Sequence, residues 1–468
     1  MHVFTNLIVH VIFKQAHSQI VQNKTYSFAY HHSMIYLRGI FGLAFLIGFA
    51  YLFSANRKGI DWRLVGTGIL LQIIFGLLVI RVDVVATGFD LISRGFVRFL
   101  DFSEAGAHFL FGDLTKSFSP DDPNATHRLG YMFAFRALPT VIFFSAVTSG
   151  LYYLGILQKV VYSLAWIMSR TMRLSGAESF AAAGNIFLGQ TEAPLLVRPF
   201  VPTMTRSELL CLMVGGMANI AGSVMGAYVN FLGGDDPAAK AAFAAHLLSA
   251  SIMSAPAGIL IAKILLPETE SIEQKLVVHK EQLGVNIIDA MSMGAADGLK
   301  LALNIGGMLI AFVAIVYMLN AGLAGIGEIT GLNNWVNTST NGAFKQFSME
   351  YIFGQVFRLF AFIMGIEWKD TLLVGSLLGQ KTVINEFVAY LSLADMQRAG
   401  AISPRSVVIS TYALCSFANF SSIAIQIGGI GNLAPNQQGN LSKLGLTALL
   451  GGTLTTMMTA TIAGALIK

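Results

Sequence analysis

Gly184-Asn185-Ile186-Phe187-Leu188-Gly189-Gln190-Thr191-Glu192-Ala193-Pro194 lies inside a long apolar sequence, yet it brings together Asn, Gln, Thr, Glu, two glycines and a proline. A carboxylate near the centre of a bilayer costs about 2.5–3.5 kcal/mol on insertion scales. A loosened helix also frees backbone groups that lipid cannot satisfy. Such a stretch must face protein or a water-filled cavity, so it reads as a site rather than as packing.

The surrounding composition makes the bilayer the relevant solvent. Of 468 residues, 54% are hydrophobic and only 12% charged, with mean hydropathy +0.65, whereas soluble domains carry about 25% charged residues. At about 20 apolar residues per span, the chain has room for roughly eight to ten crossings or half-crossings, as an all-α polytopic membrane protein. The net charge of +5 comes from Lys and Arg in short loops beside spans, where they bias orientation and do not recognise nucleic acid. Cys211 and Cys415 fall in apolar segments without a CxxC spacing, which suggests free buried thiols. Residues 1–33 are of mixed polarity and carry five of the nine histidines, His2, His10, His17, His31 and His32. They lack a signal peptide's basic start and small-residue cleavage site and read as an irregular leader; the histidine spacing matches no finger or helical metal pattern.

Spans are expected at roughly 35–54 and 63–81, joined by the basic loop Asn56-Arg57-Lys58-Gly59-Ile60-Asp61-Trp62-Arg63. The positive-inside rule puts that loop in the cytoplasm and the N-terminus outside. The acidic stretch 83–135 reads as an external amphipathic helix and loop, and contains the sequon Asn124-Ala125-Thr126. A third span, 137–157, returns the chain to Lys159, Arg170 and Arg173. The apolar run 176–197 is then flanked by Arg170 and Arg173 on one side and by Arg198 and Arg206 on the other. Two cytoplasmic ends mean that it does not cross; it is a re-entrant hairpin. Ser175 with Glu178 and Thr205 with Glu208 each fit a capping box.

The fourth span, 207–232, is interrupted by Gly215-Gly216-Met217-Ala218-Asn219-Ile220-Ala221-Gly222-Ser223 and reads as a broken helix. Gly233-Gly234-Asp235-Asp236-Pro237 is an external turn, and a fifth span at 243–265 leads to the charged internal segment 267–282. A sixth span, 298–322, leads out to the polar stretch 327–343. From about 348 the pattern recurs. Gly375-Ser376-Leu377-Leu378-Gly379-Gln380 resembles the opening stretch, with Glu386 following as Glu192 does, and Ala418-Asn419-Phe420-Ser421-Ser422-Ile423 matches Ala218-Asn219-Ile220-Ala221-Gly222-Ser223. An odd number of spans separates the copies, so the second hairpin enters from outside and the repeats are inverted, an architecture that puts substrate where broken helices meet at the midplane. Spans at 406–430 and 443–467 leave the C-terminus external. The resulting division is 35–157 scaffold spans with an external insert, 174–266 repeat 1, 267–345 linker and scaffold span, and 346–468 repeat 2, all within one membrane domain, 34–468.

Three motifs in chain order also resemble the signatures of the concentrative nucleoside transporters: Gly189-Gln190-Thr191-Glu192-Ala193-Pro194, Asn385-Glu386-Phe387-Val388-Ala389-Tyr390 and Ser416-Phe417-Ala418-Asn419-Phe420-Ser421-Ser422. The resemblance runs from about Met34 to the C-terminus. It implies eight transmembrane helices plus two re-entrant hairpins, a homotrimer in membrane lipid, and import of nucleosides driven by a cation gradient across the cytoplasmic (inner) membrane, with no cofactor. By the same resemblance, Gln190, Thr191 and Glu192 face the nucleobase, directly or through water. Glu386, Asn419 and Ser422 hold the ribose, and Phe417 and Val224 supply apolar walls. The resemblance further implies a sodium site from Asn185 and Leu188 with Asn219 and Ile220. At the position of Asn219 the sodium-coupled members usually carry a hydroxyl residue.

The residue chemistry is compatible with those roles. A carboxylate accepting from vicinal hydroxyls makes charge-assisted bonds, which suits Glu386 to a sugar. An Asn oxygen and unwound carbonyls are hard ligands suited to sodium; a proton is the competing coupling ion. A different class, an intramembrane acid/base enzyme built on Glu192 and Glu386, lacks a nucleophile with a neighbouring base and gives no reason for an inverted repeat. A channel is the other alternative, but polar hairpins on opposite faces suit alternating access better than a continuous pore.

Overall fold

The computed structural model describes residues 34–115, 132–272 and 284–467. The expected leader with its histidines, the sequon and most of the internal segment 267–282 lie outside the described residues. Every regular element among the described residues is helical. In chain order these are α1 (Met34–Leu52), α2 (Trp62–Arg81), α3 (Asp83–Phe111), α4 (Phe133–Tyr153), α5 (Ile156–Met172), α6 (Gly176–Gly184), α7 (Arg206–Ala218), α8 (Gly222–Gly233) and α9 (Pro237–Leu265). There follow α10 (Ile287–Thr330), α11 (Leu332–Ser339), α12 (Met349–Ile363), α13 (Thr371–Val383), α14 (Glu386–Arg398), α15 (Pro404–Leu414), α16 (Phe420–Leu433) and α17 (Gln438–Leu466).

The helix boundaries follow local chemistry. Asp61 caps α2 by accepting from the Arg63 and Leu64 amides, and Ser403 caps α15, with Pro404 in the first turn. Both expected capping boxes form, Ser175 with Glu178 on α6 and Thr205 with Glu208 on α7. Each satisfies two backbone donors that a helix start leaves open. The third expected span ends earlier than 157, because Gly155 adopts φ +73° and starts a separate amphipathic helix, α5. The sixth is longer than 298–322: α10 runs for 44 residues, and part of the polar stretch after it is the short α11.

Among the described residues, seven helices or helix pairs are long and apolar enough to cross a membrane. They sort into two groups. In α7–α8, α9 and the C-terminal segment Pro435–Leu466, 89–100% of the most apolar window is buried within the chain; in α1, α2 and α4 the share is 22%, and in α10 it is 11%. The first group forms the core, and the second turns apolar faces outward. The expected span 406–430 is not among the seven, because the chain breaks at Cys415–Asn419 and leaves the short α15 and α16.

Order within the core repeats. An amphipathic helix, a hairpin, a broken helix and a long helix occur as α5, α6 with the 3-10 turn Ala193–Val197, α7–α8 and α9, and again as α12, α13–α14, α15–α16 and α17. Within the outward-facing group, α4 packs along α10 at unusually short range. A Cβ added at Gly298 would lie 2.8 Å from Ile142 Cα, and one at Gly294 would meet Ser145 and Ser149. Small residues at such crossings let backbones approach closely where lipid gives no hydrophobic drive.

One detail of the internal match changes. Asn219 is the residue at which α7 ends, before the break, whereas Asn419 caps α16 at the far end of its break, its side chain accepting from the Ser422 amide. The two asparagines are aligned in sequence but not equivalent in role.

Candidate functional site

The opening stretch forms the tip of the first hairpin. After α6, residues Asn185–Glu192 run irregularly, with Leu188 and Phe187 amides bonded back to the Gly184 carbonyl, until the 3-10 turn begins at Ala193. The second tip lies between α13 and α14, where Asn385 caps α14 by accepting from the Val388 amide at 3.0 Å. Both helix breaks meet these tips. The Gly222 amide donates to the Phe187 carbonyl at 3.0 Å, tying the first break to the first hairpin, and the Phe417 amide donates to the Asn219 carbonyl at 3.2 Å, tying the two breaks together.

At this junction lies a partly open cavity of about 90 Å³. Gln190, Thr191, Glu192, Val224, Glu386, Phe417, Asn419 and Ser422, the eight residues expected at a substrate site, all line it. A hydrogen-bonded network joins them. Glu386 Oε2 accepts from Asn419 Nδ2 at 2.9 Å, while its Oε1 accepts from Tyr228 OH at 3.1 Å. Asn419 Oδ1 accepts from Ser421 Oγ at 2.7 Å and from the Ser422 amide at 2.9 Å. Gln190 Nε2 donates to Ser422 Oγ at 3.0 Å, linking the first hairpin to α16. Glu192 Oε2 accepts from the Gly189 amide at 3.3 Å. Each carboxylate thus has a donor holding its orientation, and still has lone pairs for an occupant.

Of the four residues expected to ligate a cation, Asn185 and Leu188 lie in the first tip and Asn219 and Ile220 in the break between α7 and α8, which the Gly222–Phe187 bond ties to that tip. Asn185, Leu188, Asn219 and Ile220 are all at most 5% exposed. Leu188 and Ile220 lie in the irregular segments, outside helical carbonyl ladders. Among the described residues, neither side-chain atom of Asn185 has a hydrogen-bond partner, nor does Asn219 Oδ1, nor Ser223 Oγ. Buried polar atoms are rarely left in that state. Asn219 Nδ2 makes only a long contact to the Gly215 carbonyl, 3.4 Å, and Gly215 has no Cβ, which would sit 2.9 Å from Asn185 Nδ2. Oxygens without partners at a helix break are the donor set that a hard monovalent cation takes.

Several residues at the site were not anticipated. Leu301, Ile305 and Met308, on one face of α10, line the cavity; within a uniformly apolar helix their spacing carried no distinguishing signal. Tyr228 and Gln426 are fully buried polar side chains reaching into the network, and of the two only the amide of Gln426 inside an apolar segment was a usable signal. Lys381 is also buried, donating to the Ala413 carbonyl at 2.9 Å and Thr456 Oγ1 at 3.0 Å. At the base of the first hairpin, Lys263 pairs with Glu178 at 2.6 Å and lies 3.4 Å from Glu268.

Comparison with known proteins gives consistent matches along the chain. Family models described as Na+ dependent nucleoside transporter N-terminus, nucleoside recognition (gate), and Na+ dependent nucleoside transporter C-terminus match residues 41–114, 134–235 and 246–464. An uncharacterized transporter of Haemophilus influenzae is 39% identical over 93% of this chain and 98% of its own length. Solute carrier family 28 member 3 of Eptatretus stoutii and sodium/nucleoside cotransporter 1 of Rattus norvegicus are 40% and 38% identical over 91% of the chain. The chain spans only 60% and 63% of the length of those two animal relatives. Among solved structures, the transporter CNTnw in an inward-facing substrate-bound state matches with TM-score 0.83 and 36% identity, covering 93% of this chain and all of that one. An outward-facing state of a substituted CNTnw matches at 0.82, with 36% identity over 92% and 98% of the two chains.

Proposed function

The chain belongs to the Na+-dependent, concentrative nucleoside transporter family, multi-pass membrane transporters and not enzymes, and from that premise we propose that it imports nucleosides by sodium-coupled symport. The observation that carries the reading is the convergence of two hairpin tips and two helix breaks on one cavity lined by Gln190, Thr191, Glu192, Glu386, Asn419 and Ser422. A nucleoside has an apolar flat face, a polar base edge and a vicinal diol. The cavity offers Phe417 and Val224 for the face, the Gln190-Thr191-Glu192 tip for the base edge, and Glu386 with Asn419 and Ser422 for the diol. A site built to pair hydroxyls rejects analogues that lack them, since its own buried groups are then left unpaired.

Sodium is the coupling ion in this reading, held by the Asn185 and Asn219 oxygens and the Leu188 and Ile220 carbonyls. The orphaned buried oxygens support it, as do the sodium-dependent relatives. Eight transmembrane helices plus two re-entrant hairpins in inverted-topology repeats, with α15–α16 as the eighth, broken crossing, put both termini outside. A related transporter captured both inward- and outward-facing supports alternating access. The assembly is a homotrimer in the cytoplasmic membrane, with the outward apolar faces of α1, α2, α4 and α10 against lipid and neighbouring copies.

The test is radiolabelled uridine and adenosine uptake into proteoliposomes, with sodium and proton gradients imposed separately. Accumulation above equilibrium under an inward sodium gradient alone is expected. Uptake indifferent to sodium at fixed pH would remove the sodium assignment, and no nucleoside accumulation under either gradient would remove the function.

A further inference from the structure

We propose that Gln426 is a positioning residue that fixes the direction of the Gln190 amide, so that the first hairpin tip presents a hydrogen-bond donor beside the Glu192 acceptor and selects nucleosides whose base carries a carbonyl next to a ring N–H. This rests on the nucleoside reading of the cavity and goes beyond it, to which bases the site favours.

The Met213 carbonyl only accepts, so the Gln426 atom 3.0 Å from it is the amide nitrogen. The same nitrogen lies 3.2 Å from Gln190, and that Gln190 atom must be the oxygen, Oε1. Gln190 Nε2 is then the atom facing Ser422 Oγ at 3.0 Å. Ser422 takes one of the two amide hydrogens, and the second is left for the cavity that Gln190 lines. Reversing either amide would set oxygen against oxygen or nitrogen against nitrogen in a buried chain; Gln426 is 0% exposed and Gln190 7%.

A second feature shows that space is reserved for this arrangement. A Cβ added at Gly216 would lie 2.7 Å from Gln426 Nε2 and 3.1 Å from Gln190 Cβ. The absence of a side chain on α7 at this level lets Gln426 cross from α16 to the Met213 carbonyl, so the amide relay spans the two halves of the core.

Two residues beyond Gln190, Glu192 lines the same cavity with its carboxylate oriented by the Gly189 amide. A donor at Gln190 and an acceptor at Glu192 complement a lactam edge, the carbonyl and adjoining N–H of uridine or inosine. Cytidine and adenosine present the opposite pattern, an amino group next to a bare ring nitrogen, and leave the buried donor facing a donor.

The experiment compares uptake of uridine, inosine, cytidine and adenosine by the wild-type protein and by Gln426→Met and Gly216→Ala in proteoliposomes. Wild type is expected to favour uridine and inosine. Gln426→Met keeps side-chain length but frees the Gln190 amide to turn, so the uridine-to-cytidine ratio of kcat/KM should fall by about tenfold, the scale of one net hydrogen bond. Gly216→Ala should shift the ratio the same way, and carries the test if Gln426→Met does not reach the membrane. A merely structural role would lower all four substrates together and leave the ratio unchanged, which overturns the proposal, as does a wild-type preference for cytidine and adenosine. Wild-type protein that moves none of the four would instead overturn the reading of the cavity itself.

Discussion

At the scale of single residues, Glu386 is a carboxylate held at both of its oxygens. Tyr228 and Asn419 each hold one of its oxygens, so the carboxylate is aimed before any substrate arrives. Glu386→Gln and Asn419→Ala are expected to abolish uptake while the protein still inserts in the membrane at wild-type levels, as read by quantifying the transporter in isolated membranes. Normal transport by either variant would remove the sugar assignment. Tyr228→Phe takes away one orienting donor and leaves the carboxylate; nucleoside affinity measured by calorimetry should weaken by about tenfold, in keeping with one lost bond to a charged group. Glu386 and Asn419 were legible from sequence because polar residues in apolar segments demand an explanation. Tyr228 was passed over although it shares a helix face with Val224, four residues earlier, because a tyrosine in a membrane segment has ordinary explanations.

At the scale of elements, the first hairpin is held at its base by a charge pair. Lys263 of α9 and Glu178 of α6 are 6% and 0% exposed in their side chains, and Glu178 is also the capping-box residue of α6. Breaking such a buried pair leaves an uncompensated charge, a loss of about 3–5 kcal/mol, whereas removing both partners together is often close to neutral. Lys263→Met should therefore lower the thermal unfolding temperature of the purified transporter markedly, and Lys263→Met with Glu178→Met should recover most of the loss. Failure of the double variant to recover would mean that the pair is not the anchor. The capping boxes were readable because they are local, three residues apart. The Lys263 pairing was not, since 85 positions separate the partners and nothing in either segment names the other.

For the whole molecule, the proposed cation site and the cavity share the first hairpin, with Asn185 and Leu188 at its start and Gln190 to Glu192 at its tip. An ion bound among the orphaned oxygens of Asn185 and Asn219 would order that tip, so sodium and nucleoside should bind cooperatively. Linkage requires the effect to be mutual. The factor by which saturating sodium raises nucleoside affinity should equal the factor by which saturating nucleoside raises sodium affinity, both measured by titration of the detergent-solubilised protein. Asn185→Ala should reduce both factors together; an unchanged sodium effect on nucleoside binding in that variant would remove Asn185 from the ion site.

The sequence by itself determined that this is a polytopic helical membrane protein, and where its chain must be irregular. Apolar composition fixes the solvent, and in lipid a polar break such as Gly184–Pro194 is tolerable only at a protected site, so local chemistry was enough. Tertiary structure alone decided what each break faces. It set Asn219 at the end of α7 and Asn419 at the start of α16, where the sequence match suggested equivalence. It also brought Gln426, Tyr228 and the α10 face into contact with the hairpin tips. Those outcomes depend on helix rotation and on gaps left by absent side chains, as at Gly216 and Gly298, and packing between distant segments carries no signature in any one of them.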